Sequence, residues 1–230
     1  MRVAVTGANG HVGGNLVRAL LAAGHAVRVL VHHRAEALDG LAVERLRGDV
    51  DSPAALRELF AGVDVAYHLA AQVSVDGDHG GRVQRVNVEG TRNVADAALA
   101  AGVRRLVHMS SVHAFVTAPG RPITEASPRA EGPGHAAYDR SKAAGEEQVR
   151  QAIAAYERAR TDMPLAERNY KLAENRAALA RRLFEMGKGD NFSVTDAEDG
   201  LLQAQNRLLS AQSDAMVTSY KLLKTLGILL

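Results

Sequence analysis

The sequence predicts an α/β parallel sheet followed by a long α-helical hairpin. Three observations carry this. Up to about residue 150, short apolar runs alternate with stretches of helical periodicity. Of 21 glycines, 17 lie in residues 1–150 and 4 in 151–230, a split between tight turns and long helices. Beyond residue 150, apolar residues recur every seven positions. The expected domains are therefore 1–150 and 151–230.

The elements of the first part follow in order. Val3–Thr6 is an apolar run that stops at glycine, and helical periodicity then runs from Val12 through Leu16, Leu20 and Leu21 to Gly24. Val27–Val31, Val43–Leu46, Val63–Leu69 and Leu106–Met109 are the further strands. Helices fit at 53–61 and 84–101, and a third begins near 136. Nearly all-apolar strands alternating with helices imply a parallel sheet covered on both faces.

Composition excludes several classes. Residues 1–150 carry 17 Lys+Arg against 16 Asp+Glu, and 151–230 carry 11 against 10, so each part is +1. No basic stripe with interleaved aromatics is present, which argues against a nucleic-acid partner. With no Cys, thiolate chemistry is excluded. Met1-Arg2 leads at once into a strand and no apolar run approaches the roughly 20 residues of a membrane span. No signal peptide, no membrane insertion and a cytoplasmic location are expected. All 9 His precede residue 136, and none has helical metal-ligand spacing. Surface or strand histidines, and no metal, are expected.

Thr6-Gly7-Ala8-Asn9-Gly10-His11-Val12-Gly13 is a G-x-x-G-x-x-G turn between the first strand and the first helix. Gly7 permits the tight turn, Gly10 lets backbone approach a pyrophosphate, and Gly13 lets the helix pack close to the strand. The helix N-terminus offers free N–H groups and a positive dipole end to the phosphates. The expected fold is then a truncated Rossmann-like sheet of about five strands, and the expected partner a dinucleotide. Arg34, after the second strand, is either a partner for a 2′-phosphate or a solvated surface cation; the first reading leans toward NADP over NAD. Asp49 either accepts from an adenine amino group or serves as a turn or cap residue before Ser52-Pro53.

Tyr138 and Lys142 are four apart and share one helix face. An ammonium beside a phenol favours the phenolate, so Tyr138 is a candidate general acid/base near neutral pH. Ser111 lies at the end of the strand Leu106–Met109, placed to polarise the same substrate oxygen.

On Thr6–Gly13, Asp49, His68-Leu69-Ala70-Ala71, Asn87-Val88-Glu89-Gly90-Thr91, Ser110-Ser111 and Tyr138–Lys142, residues 1–150 resemble the N-terminal half of an extended short-chain dehydrogenase/reductase of the NAD-dependent epimerase/dehydratase or ketoreductase type. The resemblance implies Ser111, Tyr138 and Lys142 as a catalytic triad, with Lys142 also holding the nicotinamide ribose. It implies NAD(P) as cofactor, contacted by Gly7, Asn9, Gly10, His11, Val12, Gly13, Arg34, Asp49, Val50, Leu69, Ala70, Ala71, Tyr138 and Lys142. Asn87 is implied to be structural or to support proton relay. The family continues beyond the lysine helix with a sixth strand and a substrate domain, which are not recognised here. Impaired catalysis, and a fifth strand left as an edge, are expected.

In the second part, Leu165, Leu172, Leu179 and Met186 recur every seven residues before a Gly187–Asn191 tip, and Val194, Leu201, Leu208, Ala215 and Leu222 after it. Ala197, Ala204, Ala211, Thr218 and Thr225 are small seam partners, and Leu202, Leu209, Met216 and Leu223 form a second stripe. The pattern predicts an antiparallel coiled-coil hairpin whose second arm, 193–225, is about 50 Å long. Pro164 predicts a kink, or a fresh start capped by Thr161 or Asp162. Two apolar stripes exceed what one partner helix covers, so the hairpin is expected to self-associate, unless it is a simple two-helix arm. Residues Ala166 through Gly187, Val194 through Leu209 and Tyr220 through Gly227 resemble the C-terminal hairpin of a TolC-like outer-membrane efflux protein, a resemblance that implies a channel component with Asp196 near the tip.

The two patterns meet between about Glu146 and Gln151, where both sides are helix-forming. The alternatives are a reductase-like enzyme with a helical appendage, an efflux-channel component, or a non-functional chimera of the two.

Overall fold

A computed structural model describes residues 1–118 and 120–225, without the side chains of 159–160 and 215–225. By its contacts the chain divides into a unit carrying Met1–Ile153 and a unit over Ala154–Lys221.

The first unit is built on five parallel strands: β1 (Arg2–Thr6), β2 (Ala26–Val31), β3 (Glu44–Arg47), β4 (Val65–His68) and β5 (Arg105–His108), in the order β3-β2-β1-β4-β5. Every strand read in the sequence is present. Central β1 explains the pattern: Val3, Ala4 and Val5 are all buried, because both faces are covered. Val3 and Val5 point into a core with Val17, Leu20, Val27, Val29 and Leu38. Ala4 points the other way, to Leu56, Leu59, Phe60, Ala66 and Val94. The helices supplying these layers are α1 (His11–Ala22), α2 (Pro53–Phe60) and α4 (Gly90–Ala100). Ser52 caps α2, its Oγ accepting from the Ala55 N–H at 3.4 Å ahead of Pro53 at the first position.

The helix expected over 84–101 is broken in kind. A short α3 (Arg82–Gln84) passes into a π-helical turn over Arg85–Glu89 and then into α4. Asn87 lies in that π turn, a geometry frequent at functional sites. β5 is an edge strand, as expected, with Val107 and Met109 exposed.

Helices α5 (Ala137–Glu185) and α6 (Asn191–Thr225) follow. Pro164 lies inside α5, which runs on through it. No fresh start occurs there: the Thr161 hydroxyl donates back to the Glu157 carbonyl instead of capping a new helix. In the second unit the arms meet through a seam of small residues. Ala177 and Ala197 are its buried members, flanked by half-buried Ala166, Tyr170, Ala173 and Ala180 on one arm and Val194, Leu201, Ala204 and Leu208 on the other. The α6 seam is the series read from the sequence. The α5 seam is not. Leu165, Leu172, Leu179 and Met186 are 53–58% exposed. The alanine series has the same period one residue on, and alanines allow closer approach of the arms than leucines do. A heptad repeat fixes spacing, not which of two adjacent series faces the partner. The positions Ala215, Met216, Thr218, Leu222, Leu223 and Thr225 lie outside the described side chains, and Leu226-Gly227 outside the described residues. Among the described residues no helix is long and apolar enough to cross a membrane.

Candidate dinucleotide site and active site

The strand order reverses direction between β1 and β4, and a cleft opens at their carboxyl ends. Gly7 turns the chain there with φ +70°, and any Cβ on it would lie 2.5 Å from the Ala70 nitrogen. Backbone therefore packs on backbone between the β1 and β4 loops, with the Leu69 N–H donating to the Thr6 carbonyl at 3.2 Å. A Cβ on Gly13 would lie 2.1 Å from the Gly7 carbonyl oxygen, so only glycine lets α1 start this close to the turn.

Gly10 is the α1 N-cap and supplies no side-chain cap. Its carbonyl accepts from the Gly14 N–H at 2.8 Å, which leaves the His11, Val12 and Gly13 N–H groups without a backbone acceptor among the described residues. Three free donors at a helix N-terminus, beside a glycine that adds no bulk, fit a pyrophosphate. His11 and Val12 are exposed and do not line the cleft.

The cleft holds a cavity of about 470 Å³. Of the residues expected to contact cofactor, Gly7, Asn9, Gly10, Arg34, Asp49, Val50, Leu69, Ala70 and Ala71 line it. His11, Val12, Gly13, Tyr138 and Lys142 do not. Asn9 works inward: its Oδ1 accepts from the Ala37 N–H at 2.9 Å, fixing the turn after β2. Asp49 accepts from the Val50 N–H at 2.7 Å and pairs with His32 Nε2 at 3.1 Å. Ser52, not Asp49, caps the next helix.

The three expected catalytic residues come from two elements. Ser111 opens a 3-10 turn after β5, its Oγ accepting from the His113 N–H at 3.2 Å. Tyr138 and Lys142 sit on the first turns of α5, near that segment: the His113 and Tyr138 rings are 5.7 Å apart, edge to face. Lys142 is 4% exposed and donates from Nζ to the Met109 carbonyl at 2.8 Å. Burial lowers its pKa from the ordinary lysine value, opposed by the Glu146 carboxylate. No hydrogen bond joins Lys142 to Tyr138 among the described residues; the ammonium is held instead by the Met109 carbonyl.

A buried polar chain, not read from the sequence, ties the two ends together. Thr6 Oγ1 lies 2.7 Å from His68 Nδ1, and His68 Nε2 lies 3.0 Å from Thr91 Oγ1. Thr91 donates to the Asn87 carbonyl at 2.8 Å. Asn87 holds both backbone groups of Gln72 and donates from Nδ2 to Ser141 Oγ at 2.9 Å, and Ser141 donates to the Tyr138 carbonyl at 2.6 Å. The chain thus runs from the glycine turn to the tyrosine helix. Gly145 lets α5 settle on it, since a Cβ there would lie 2.6 Å from the Asn87 carbonyl oxygen. Burial holds His68 well below the ordinary histidine pKa, and His108, 5.2 Å away ring to ring, is lowered to about 4, by burial first and the Lys142 charge second. Both lie on strands, as expected, His68 buried and His108 half-buried. Glu146, on the next turn of α5, accepts from Ser110 Oγ and pairs with Arg129, pinning the loop after Ser111 to the helix.

Sheet order, glycine cradle and helix N-terminus together define a dinucleotide-binding fold of the short-chain dehydrogenase/reductase type. The chain belongs to the NAD dependent epimerase/dehydratase family, whose model matches residues 3–164. It is 45% identical over 155 residues to sterol demethylase protein B of Methylococcus capsulatus, covering 65% of this chain and 46% of that one. It is 44% identical over 112 residues to an L-arabinose 1-dehydrogenase (NAD(P)(+)) of Haloferax volcanii, covering 49% and 41%. The chain thus spans about half the length of these curated relatives. Among solved structures, a short-chain dehydrogenase/reductase superfamily protein from Agrobacterium tumefaciens with bound NAD superposes with a TM-score of 0.59 at 34% identity, over 70% of this chain and 46% of that one. The Bordetella bronchiseptica enzyme WbmG, solved with NAD and UDP, gives 0.59 at 30%, over 65% and 49%.

Proposed function

We propose that residues 1–150 bind NAD(P)(H) along this cleft and serve proton transfer at a substrate hydroxyl or carbonyl. The observation that carries the reading is the glycine turn, where Gly7 and Gly10 line the cavity and the next three N–H groups, of His11, Val12 and Gly13, have no backbone acceptor among the described residues. The similar Agrobacterium and Bordetella proteins were solved with NAD, which supports the same ligand here. The dinucleotide supplies hydride transfer when bound. Tyr138 is the group that gives or takes the proton, Ser111 polarises the reacting oxygen, and Lys142 places a buried positive charge one helical turn from Tyr138. Lys142 reaches the nicotinamide ribose only by leaving or sharing the Met109 carbonyl. Asn87 fixes the tyrosine helix through Ser141. A cytoplasmic location belongs to this reading.

Gly10→Val tests it. Gly10 has φ −76° and ψ 169°, which valine adopts, and a Cβ there would lie 3.3 Å from the Gly7 carbonyl oxygen, so circular dichroism of the variant is compared with that of the parent chain. NAD(P)H fluorescence titration is expected to show saturable binding in the parent chain and about a hundredfold weaker binding in the variant. A folded parent chain that binds neither NADH nor NADPH rejects the proposal.

A second reading concerns residues 151–230 and is favoured by the outward leucines. The Arg176–Asp196 pair bridges one flank of the hairpin and Arg181–Glu198 the other. By helical spacing Leu165, Leu172 and Leu179 run along the Arg176 flank, while Leu202 and Leu209 run along the Glu198 flank. Two apolar stripes on opposite flanks suit side-by-side packing of copies, as in a TolC-like arm. Analytical ultracentrifugation is expected to show concentration-dependent oligomers, abolished by Leu172→Arg with Leu202→Arg. A strictly monomeric parent chain removes this reading.

A further inference from the structure

Asp49, a candidate acceptor for an adenine amino group, is already held by the protein. Pairing of β2 with β3 sets Val31 beside Arg47, and the Gly48 N–H carries the pairing on by donating to the Val31 carbonyl at 3.0 Å. His32 and Asp49 therefore leave the sheet close together, and both line the 470 Å³ cavity. His32 Nε2 lies 3.1 Å from Asp49 Oδ2, and Asp49 Oδ1 accepts from the Val50 N–H at 2.7 Å. Each carboxylate oxygen thus has a partner within the chain. The next helix does not need this carboxylate, because Ser52 caps it. The two side chains are 45% and 33% exposed, so the contact can open without unpacking the core. Other charged groups share the place. The His33 ring lies against His32 at 3.6 Å between centroids, and Arg34 follows in the same loop. Asp51 comes from the β3–α2 loop, Arg82 from α3 and Arg85 from the π turn. Of these residue types, only imidazoles ordinarily change charge between pH 5.5 and 8.

We propose that His32 is a pH-dependent latch on Asp49, so that the adenine end of the cleft takes nucleotide more tightly at pH 8 than at pH 5.5. The inference rests on the dinucleotide reading above. With the pyrophosphate at the glycine turn, the adenosine half extends toward the carboxyl ends of β2 and β3, where Asp49 stands. An adenine amino group must then share or displace the imidazole. A protonated imidazole holds the carboxylate by a charge-assisted bond, roughly twice as strong as a neutral one. A neutral imidazole yields more readily. The opposing effect is attraction of the imidazolium for the pyrophosphate, which acts at longer range and is screened by salt.

The test is calorimetric titration of the full chain with NAD at pH 5.5, 6.5 and 8 in 0.5 M salt, in the parent, His32→Gln and His33→Gln. The parent is expected to bind about fivefold tighter at pH 8 than at pH 5.5. Glutamine donates to a carboxylate but does not titrate, so His32→Gln is expected to bind equally at all three pH values. His33→Gln is expected to keep the slope of the parent. Nicotinamide hypoxanthine dinucleotide has a 6-oxo group in place of the amino group, and is expected to lose the slope in the parent. A parent slope that is absent or of opposite sign overturns the proposal. So does a slope that survives in His32→Gln, or one that is the same for the hypoxanthine analogue. If NAD binds at no pH, the dinucleotide reading itself falls; if NAD binds without the expected slope, that reading stands and this inference alone fails.

Discussion

The sheet unit and the hairpin bury their chains in opposite ways. In the first, large side chains go inside: Leu38, Leu56, Leu59 and Phe60 are at most 1% exposed, and β1 has no solvent face. In the second, only alanines are fully buried, Ala177 and Ala197, while Leu201 and Leu208 are half-buried and Leu172 and Leu179 are 58% exposed. Apolar burial scales with area, so one residue of sheet contributes several times what one residue of hairpin seam does. The difference separates roles. The sheet unit holds the glycine cradle on a buried core, while the hairpin leaves Leu172 and Leu179 exposed.

The largest expected effect is at the cradle. Gly13→Val places a Cβ 2.1 Å from the Gly7 carbonyl and 2.8 Å from the Ala8 Cα, both backbone atoms that cannot step aside. A loss above about 4 kcal/mol, read as failure of the sheet unit to fold, is expected from urea unfolding followed by circular dichroism. No substitution of comparable size in the hairpin is expected to reach that value. Next comes a paired leucine truncation. Leu56→Ala, in the core, is expected to cost about 2–5 kcal/mol, and Leu172→Ala, on the outward flank, under about 0.5 kcal/mol in a monomeric sample. Equal costs would erase the distinction between the units. A cost for Leu172→Ala that grows with protein concentration would sharpen it, by locating that leucine in an interface between copies.

Acid should also strike the sheet unit first. The His68 and His108 rings are neutral in the folded chain, His108 down to about 4. The unfolded chain takes up protons on both below about 6.5. It therefore binds more protons than the folded chain between these values. Stability is full above about pH 6.5 and falls as pH drops through about 4. The loss from His108 alone is on the order of 3 kcal/mol. Its ring nitrogens have no hydrogen-bond partner, so His108→Leu is expected to flatten the slope of stability against pH from 7 to 4.5 without unfolding the chain. An unchanged slope in that variant would show that His108 does not titrate across this window.

Much of this was legible in the sequence because it is local. Strand–helix alternation marked all five strands, and the Gly7, Gly10 and Gly13 spacing marked the cradle, since Gly10 and Gly13 answer to contacts within the turn itself; the contact of Gly7 with Leu69 and Ala70 is long-range. The chain Thr6–His68–Thr91–Asn87–Ser141 was not legible, because its members lie up to 62 residues apart and only strand pairing of β1 with β4 brings the first two together. The α5 seam was misread because two series of equal period lie one residue apart, and the choice between them belongs to packing.

The smallest expected effect is in the hairpin's ion pairs. Arg176 Nη2 lies 2.6 Å from Asp196 Oδ2, which is short enough to suggest a strong contact. Both side chains are more than half exposed, at 65% and 54%, so water solvates the ions nearly as well as they solvate each other. Ordering two long side chains offsets much of what remains. Arg176→Ala is therefore expected to cost about 0.5 kcal/mol or less, falling further at 0.5 M salt, in thermal unfolding of the hairpin. A cost above about 1.5 kcal/mol would mean that the pair is desolvated in solution. Since the Arg176 flank also carries Leu165, Leu172 and Leu179, the desolvating surface would then be one that covers those leucines, and the hairpin would have a core after all, shared with whatever lies against it.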